Sequence, residues 1–304
     1  MTKSIFVVGL NPVIQKTIIL PYFKEDGVVR AQSCFTDASG KAVNVCRVLA
    51  QLGLKSKCLT PVGRANGEEF IKLAAKDNLK IIPVDSPVRI RNCYTLLNIE
   101  KGTASEVIVD EPEKVGKDIE RKTAGIFFSN IYNMDILILT GSRARGFSDS
   151  IIPAMIKEAK EAGAEIFADY RENDLLNSLI SREIRPDYVK INFDELKATF
   201  PGEFSQIKKN SLIKEKLREI SDRYNNTFII TNGKKETIFA GKGQCGIIKP
   251  QPVRAFNHIG CGDSFLAGLV YSFIKGSSVY DAVIKAGETA TANALNYRPG
   301  SIIS

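Results

Sequence analysis

The sequence predicts an α/β fold: a mainly parallel sheet covered by helices on both faces, carrying a small β-sheet lid. Three observations support this. Short apolar runs rich in Val, Ile and Leu alternate with longer amphipathic stretches, the pattern of strands buried on both faces between crossover helices. Turn residues close each apolar run, as at Gly9 and Gly141. Two segments, about 15–36 and 92–109, break that rhythm with alternating β-branched and polar residues, as half-exposed strands do.

In chain order, Ile5–Gly9 reads as a buried strand. Lys16 to Leu20 and Val28 to Thr36 follow as strands exposed at a sheet edge. After Gly40, Val45, Val48, Leu49 and Leu52 fall on one helical face, and Gly53 stops that helix. Ser56–Pro61 is the next strand, a helix runs from Gly67, and Lys80–Val84 returns to strand. Asn92 to Val109 forms a hairpin-like insert. Met134–Thr140, Glu165–Asp169, Asp187–Ile191 and Thr227–Ile230 are further core strands, mostly separated by helices. Lys235–Ala240 and Gln244–Lys249 make a hairpin around Gly241-Lys242-Gly243, and two long helices close the chain. No Pro-, Gly- or Ser-rich linker and no internal repeat occurs, so 1–304 is expected to be one domain with the two inserts as its lid. Open α/β sheets bind ligands at the carboxyl ends of their strands, which places Asn11, Gly141-Ser142 and Asp263 on one edge.

The formal net charge of +8 suits nucleic acid, an acidic membrane surface or phosphorylated small molecules. Its densest stretch, Lys208 to Arg223, carries Ile213, Leu217, Ile220 and Tyr224 on one stripe, a solvated amphipathic helix. No aromatic-basic repeat or zinc-finger spacing supports nucleic-acid recognition. The six cysteines contain no C-x-x-C pair and no metal-ligand clustering with the single histidine, His258. They read as reduced thiols, and with no secretory segment or membrane-length apolar run the expected location is cytoplasmic.

Chemistry is most concentrated at Asn257-His258-Ile259-Gly260-Cys261-Gly262-Asp263-Ser264, directly before the helix-periodic run Phe265 to Ile274. Glycines at a helix start let backbone N–H groups and the positive end of the helix dipole approach an anion. Asp263 beside them is either an acceptor for a proton or a helix cap. His258 reads as a neighbour of this turn, and Cys261 as a small residue filling it. Gly241-Lys242-Gly243-Gln244-Cys245-Gly246 matches a dinucleotide-binding string, but it lies in a hairpin instead of opening a helix. No P-loop is present, since Gly40-Lys41 is followed by Ala42. Polar positions at other predicted turns are Asn11, Ser39-Gly40-Lys41 with Asn44, Arg89 and Arg91, Asn192 with Glu195, and Thr231-Asn232-Gly233. Each alone could be a cap, a surface arginine or a turn residue.

In order, these motifs resemble the ribokinase-like carbohydrate kinases of the phosphofructokinase-B family, in the branch acting on phosphorylated hexoses. The resemblance runs from Asn11-Pro12 through Ser39-Gly40-Lys41-Ala42-Val43-Asn44-Val45, Arg91-Asn92-Cys93, Gly141-Ser142, Lys190-Ile191-Asn192-Phe193-Asp194-Glu195 and Thr231-Asn232-Gly233 to Gly260–Ser264. It implies a three-layer α/β/α core with a small β-sheet lid, and transfer from ATP, with magnesium, to a ketohexose phosphate. Fructose 1-phosphate leads and tagatose 6-phosphate follows. By the same resemblance Asp263 is the base, and the amides of Gly260, Cys261 and Gly262 form an anion hole. Asn11, Gln15, Gly40, Asn44 and Ser142 hold the sugar, and Lys41 and Arg91 its phosphate. Lys190, Asn192, Thr231, Gly233 and Asn293 meet the nucleotide, with Glu195 serving magnesium directly or through water. A homodimer through the lid is expected.

Three departures from the family pattern fall at the acceptor side: Gln15 replaces an Asp, Ser39 and Ala42 replace glycines, and Arg143-Ala144 with Arg145 replaces a Leu-Pro start. The chain also ends soon after Gly300-Ser301, where a terminal helix common in relatives is expected to be missing. The competing expectation is a non-catalytic sugar-phosphate-binding or regulatory protein on the same fold.

Overall fold

A computed structural model describes residues 3–109, 113–207 and 209–303. Lys208, the first residue of the basic stretch, and the chain ends lie outside the described residues. The chain opens with β1 (Ile5–Val8), then β2 (Val13–Leu20) and β3 (Ser33–Ser39), before helix α1 (Lys41–Gln51). Strand β4 (Ser56–Gly63), helix α2 (Gly67–Lys76) and strand β5 (Lys80–Ser86) lead to the pair β6 (Arg91–Asn98) and β7 (Thr103–Val109). Alternation resumes with α3 (Lys117–Ile131), β8 (Ile136–Thr140), α4 (Ile151–Glu161) and β9 (Glu165–Asp169). Short helix α5 (Glu172–Asn177), strand β10 (Tyr188–Asn192) and helices α6 (Phe193–Thr199), α7 (Pro201–Phe204) and α8 (Asn210–Tyr224) follow. Strand β11 (Thr227–Thr231), the hairpin β12 (Thr237–Gly241) and β13 (Gln244–Ile248), and helices α9 (Cys261–Ile274) and α10 (Val279–Ala294) complete it.

Nine strands form one sheet in the order β13-β12-β11-β10-β9-β8-β1-β4-β5. Every neighbouring pair from β11 to β5 is parallel, and the β12–β13 hairpin adds an antiparallel edge. Parallel strands need both faces covered, and two apolar cores meet that need. One packs Phe6, Leu137 and Ile166 under α3, α4 and α8, including Phe127, Met155 and Leu217. The other packs Val7, Ile138 and Phe167 under α1 and α9, including Val45, Leu49, Leu266 and Leu269. The three-layer expectation holds.

The two inserts form a separate four-stranded sheet, order β3-β2-β6-β7, with β2 and β6 parallel and hairpin pairings outside them. One expectation needs correction here. Val13–Leu20 is an inner strand, mostly buried, not an exposed edge. Residues 28–32 are not strand at all, because pairing with β2 begins only at Ser33, opposite Ile19. The expected strand Val28–Thr36 had the right composition but no partner over its first half.

Candidate active site

The carboxyl ends of β1, β8, β9, β10 and β11 deliver polar residues to one edge of the large sheet. After β1, the Asn11 amide donates to the Ser142 hydroxyl just past β8, at 3.3 Å. These two, with Arg89, Arg91 and Arg145, line a cavity of about 240 Å³. Arg143 touches the same cavity, but its guanidinium is held by Asp174, Asp149 and the Phe147 carbonyl at 2.6–2.8 Å.

Helix α9 opens at Gly260, whose φ of 81° is left-handed. A Cβ at this position would collide with the Gly300 amide nitrogen, so both conformation and space call for glycine. Gly262 leaves room for Lys190, whose Nζ lies 2.9 Å from where a Cβ would stand. The Cys261 N–H turns back to the His258 carbonyl at 3.3 Å. Among the described residues no backbone acceptor takes the N–H of Gly260, Gly262 or Asp263. Those are the groups an anion would meet at this helix start.

Asp263 is buried, and Asn44 of α1 donates to its Oδ2 at 2.8 Å. Burial pushes its pKa up to about 6, helped by the charge of Asp169; Lys41, the Asn44 hydrogen bond and Lys190 pull the other way. The dipole of α9 favours the ionised form; the larger effect is loss of water, which acts oppositely. Even so, Asp263 is mainly ionised at neutral pH.

Asp169, at the end of β9, is the residue that sequence reasoning missed. Fully buried, it accepts from Lys41 at 3.1 Å and from Lys190 at 3.2 Å. Burial raises its pKa, but the two ammonium groups outweigh that and leave it below the ordinary carboxylate value. For Lys41, burial favours the neutral amine, yet Asp169, Glu195 and Asp263 together hold it firmly protonated. Lys41 lies 3.7 Å from Glu195, within this carboxylate cluster, and it is not among the residues that line the arginine cavity, whereas Arg91, expected to share the sugar's phosphate with it, is.

Asn192 and Glu195 form a reciprocal capping box at the start of α6: each side chain accepts the other's backbone N–H, at 2.9 and 2.8 Å. Thr231 stands opposite Asn192 in the β10–β11 register, and Gly233 turns the chain just beyond with φ 55°. Asn293 is placed differently from expectation. It is fully buried, accepting from Ser264 and Ser301 and donating to Ile259 and Cys261 at 3.0–3.3 Å. With no exposed surface, it knits the glycine turn to the chain end. Burial pushes the Cys261 thiol up to about 11, which leaves it neutral and a poor nucleophile.

The departures also find places. Gln15 is buried in the lid with its amide on Thr95 at 2.9 Å, and it does not line the cavity. The Ala42 methyl packs against Gly9, and Ser39 donates to Asn44 at 2.9 Å.

A glycine-opened helix start beside a buried carboxylate and two lysines, on the strand-end edge of a doubly wound sheet with a β lid, defines a ribokinase-like α/β protein. Residues 4–303 match the pfkB family carbohydrate kinases, and the chain belongs to that family. It is 27% identical over 305 residues to a tagatose-6-phosphate kinase of Staphylococcus epidermidis, covering 98% of this chain and 94% of that protein. A 1-phosphofructokinase of Borreliella burgdorferi is 28% identical, with 96% and 92% covered. The fold superposes on phosphofructokinase-2 of Escherichia coli, crystallised with substrates and products, at a TM-score of 0.86 and 20% identity, covering 96% and 93%.

Proposed function

We propose that this carbohydrate kinase transfers the terminal phosphoryl group of ATP to a hydroxyl of a ketohexose monophosphate. Fructose 1-phosphate is the first acceptor to test and tagatose 6-phosphate the second. The observation that carries the reading is the buried Asp263 at a glycine-opened helix start; an arginine-lined cavity at the carboxyl ends of β1 and β8 supports it. In this reading the cavity takes the acceptor, with Arg89, Arg91 and Arg145 around its existing phosphate and Asn11 and Ser142 on its hydroxyls. Asp263 accepts the proton of the attacking hydroxyl as the new P–O bond forms and the bond to the ADP oxygen breaks. Amides at the start of α9 and the ammonium groups of Lys41 and Lys190 face the transferring group, where negative charge must be held in place.

Magnesium fits the residues present. Among the described residues no group of three or more His, Cys, Asp or Glu forms a dedicated cage. Glu195, whose side chain keeps some exposure, would supply the carboxylate, directly or through water, that suffices for an ion otherwise held by water and phosphate oxygens. When bound, the ion would neutralise phosphate charge; Asn192 and Glu195 stand where they can order its shell, beside Thr231 and Gly233 for the nucleotide.

The test is ADP release measured over a panel of free and phosphorylated hexoses. Turnover confined to ketohexose monophosphates supports the assignment; nucleotide binding without turnover on any acceptor overturns it in favour of a binding protein. Asp263→Asn should lower kcat by about 10²–10⁴-fold with nucleotide affinity retained. Near-normal turnover in that variant removes Asp263 as the base.

A further inference from the structure

A buried asparagine beside a carboxylate can present either its NH₂ or its oxygen, and something must decide which. Asn44 is buried, with Oδ1 accepting from Arg47 at 2.9 Å and from Ser39 at 2.9 Å, while Nδ2 donates to Asp263 at 2.8 Å. Ser39 does not settle the orientation, since a hydroxyl can donate or accept. A guanidinium can only donate. Facing Arg47, the amide must therefore show its oxygen, which leaves the NH₂ for Asp263. The flipped amide would set donor against donor at Arg47 and oxygen against carboxylate at Asp263.

We propose that Arg47 is a positioning residue for phosphoryl transfer, locking the Asn44 amide so that its NH₂ group meets the Asp263 carboxylate. This deepens the reading of Asp263 as the base and rests on it.

The placement of Arg47 supports the role. Arg47 is 1% exposed, one helical turn beyond Asn44 on α1. It donates to Asp77 at 2.8 Å, to the Pro299 carbonyl at 3.3 Å and to the Ala38 carbonyl. Asp77 is held independently by Arg298, which also grips Asp37 of the lid strand β3. A buried charge is expensive, and an apolar side chain of similar volume often serves stability as well or better. What an apolar residue lacks is a donor that reads one end of an amide.

The charged and titratable groups around Asp263 are Lys41 on α1, Lys190 on β10, Asp169 on β9 and Cys261 on its own helix; the two lysines favour the carboxylate and Asp169 opposes it. Replacing Arg47 changes none of them. It frees Asn44 to turn its oxygen toward Asp263 and so disfavours the ionised base.

Protein labelled with ¹³Cγ-aspartate allows the Asp263 carboxyl to be titrated directly, its signal assigned by its absence in Asp263→Asn. Arg47→Met should move that titration up by about one pH unit. The acid limb of kcat/KM should move with it, so that the defect approaches about tenfold below pH 5, is about fivefold at pH 6 and is largely gone above pH 8. Arg47→Lys, which keeps a donor, should stay near wild type and serves if Arg47→Met fails to fold. In an Asn44→Ala background the Arg47 substitution should add no further shift. An unmoved titration, or a shift that persists undiminished without Asn44, overturns the inference. Normal turnover of Asp263→Asn instead defeats the underlying assignment of the base, so the two failures are separable.

Discussion

Asp263 and Asp169 are both buried carboxylates, but their surroundings move them in opposite directions, and each direction has a measurable consequence. For Asp263 the folded value of about 6 lies above its ordinary 3.8. The folded state therefore holds this proton more tightly than the unfolded chain, and stability falls as pH rises through that window. Asp263→Asn should thus melt higher than wild type at pH 8 and lose that advantage near pH 4, while wild-type kcat/KM shows an acid limb near 6. A variant that melts lower at pH 8 contradicts this sign. Asp169 is held below its ordinary value by two lysines, so it contributes stability above that value and loses it as acid protonates it. Asp169→Asn leaves the buried ammonium group of Lys190 without its ion pair and should cost about 3–5 kcal/mol in urea unfolding at pH 7. A loss below about 1 kcal/mol would show that water takes over the role. Asp169 escaped sequence reasoning because its partners are 128 and 21 positions away, whereas Gly260–Asp263 is written in consecutive letters. The same distance hid Arg47: its dependence on Asp77 and Pro299 spans 30 and 252 positions.

At the level of elements, the start of α9 separates two kinds of glycine. Gly260 needs a left-handed backbone and has the Gly300 backbone against it, so Gly260→Ala should destabilise the fold and lower the melting temperature clearly. Gly262 has ordinary helical geometry, and only the end of the Lys190 side chain occupies the space a methyl would take. A flexible ammonium can shift, so Gly262→Ala should melt near wild type yet lose roughly tenfold or more in kcat, because Lys190 is displaced where charge must be held. Equal melting losses in the two variants would refute the distinction. The core strands were legible because burial on both faces writes continuous apolar runs. The lid was less so: Val28 to Thr36 carries strand-forming residues, but strands exist by pairing, and β2 offers partners only from Ser33. Asn293 shows the converse limit, since a polar residue on a helix gives no sign of whether it faces a ligand or four internal partners.

For the whole molecule, the lid sheet raises the question of assembly. Its outer strand β7 exposes Val107, Ile108 and Val109 at 47–52%, and Phe35 of β3 is 39% exposed. A flat apolar edge with unpaired backbone groups invites another strand, and proteins ordinarily cover such edges or charge them. Here Glu106 is the one charged residue in β7. We therefore expect two copies to pair through their lids, burying on the order of 800 Å² per partner as stable interfaces do. Light scattering should give twice the chain mass at micromolar concentration. Val107 and Val109 lie on one side of β7, opposite Tyr94 and Asn92, so Val107→Glu with Val109→Glu charges that side and leaves the β6–β7 pairing intact. That double variant should be monomeric with circular dichroism unchanged. The arginine-lined cavity proposed for the acceptor is bounded in part by Arg91 at the root of β6, so a lid set loose by dissociation should raise KM for the sugar phosphate more than it lowers kcat. A wild-type chain that is monomeric at all concentrations overturns the expected dimer, and a charged variant that remains dimeric places the assembly surface elsewhere than the lid.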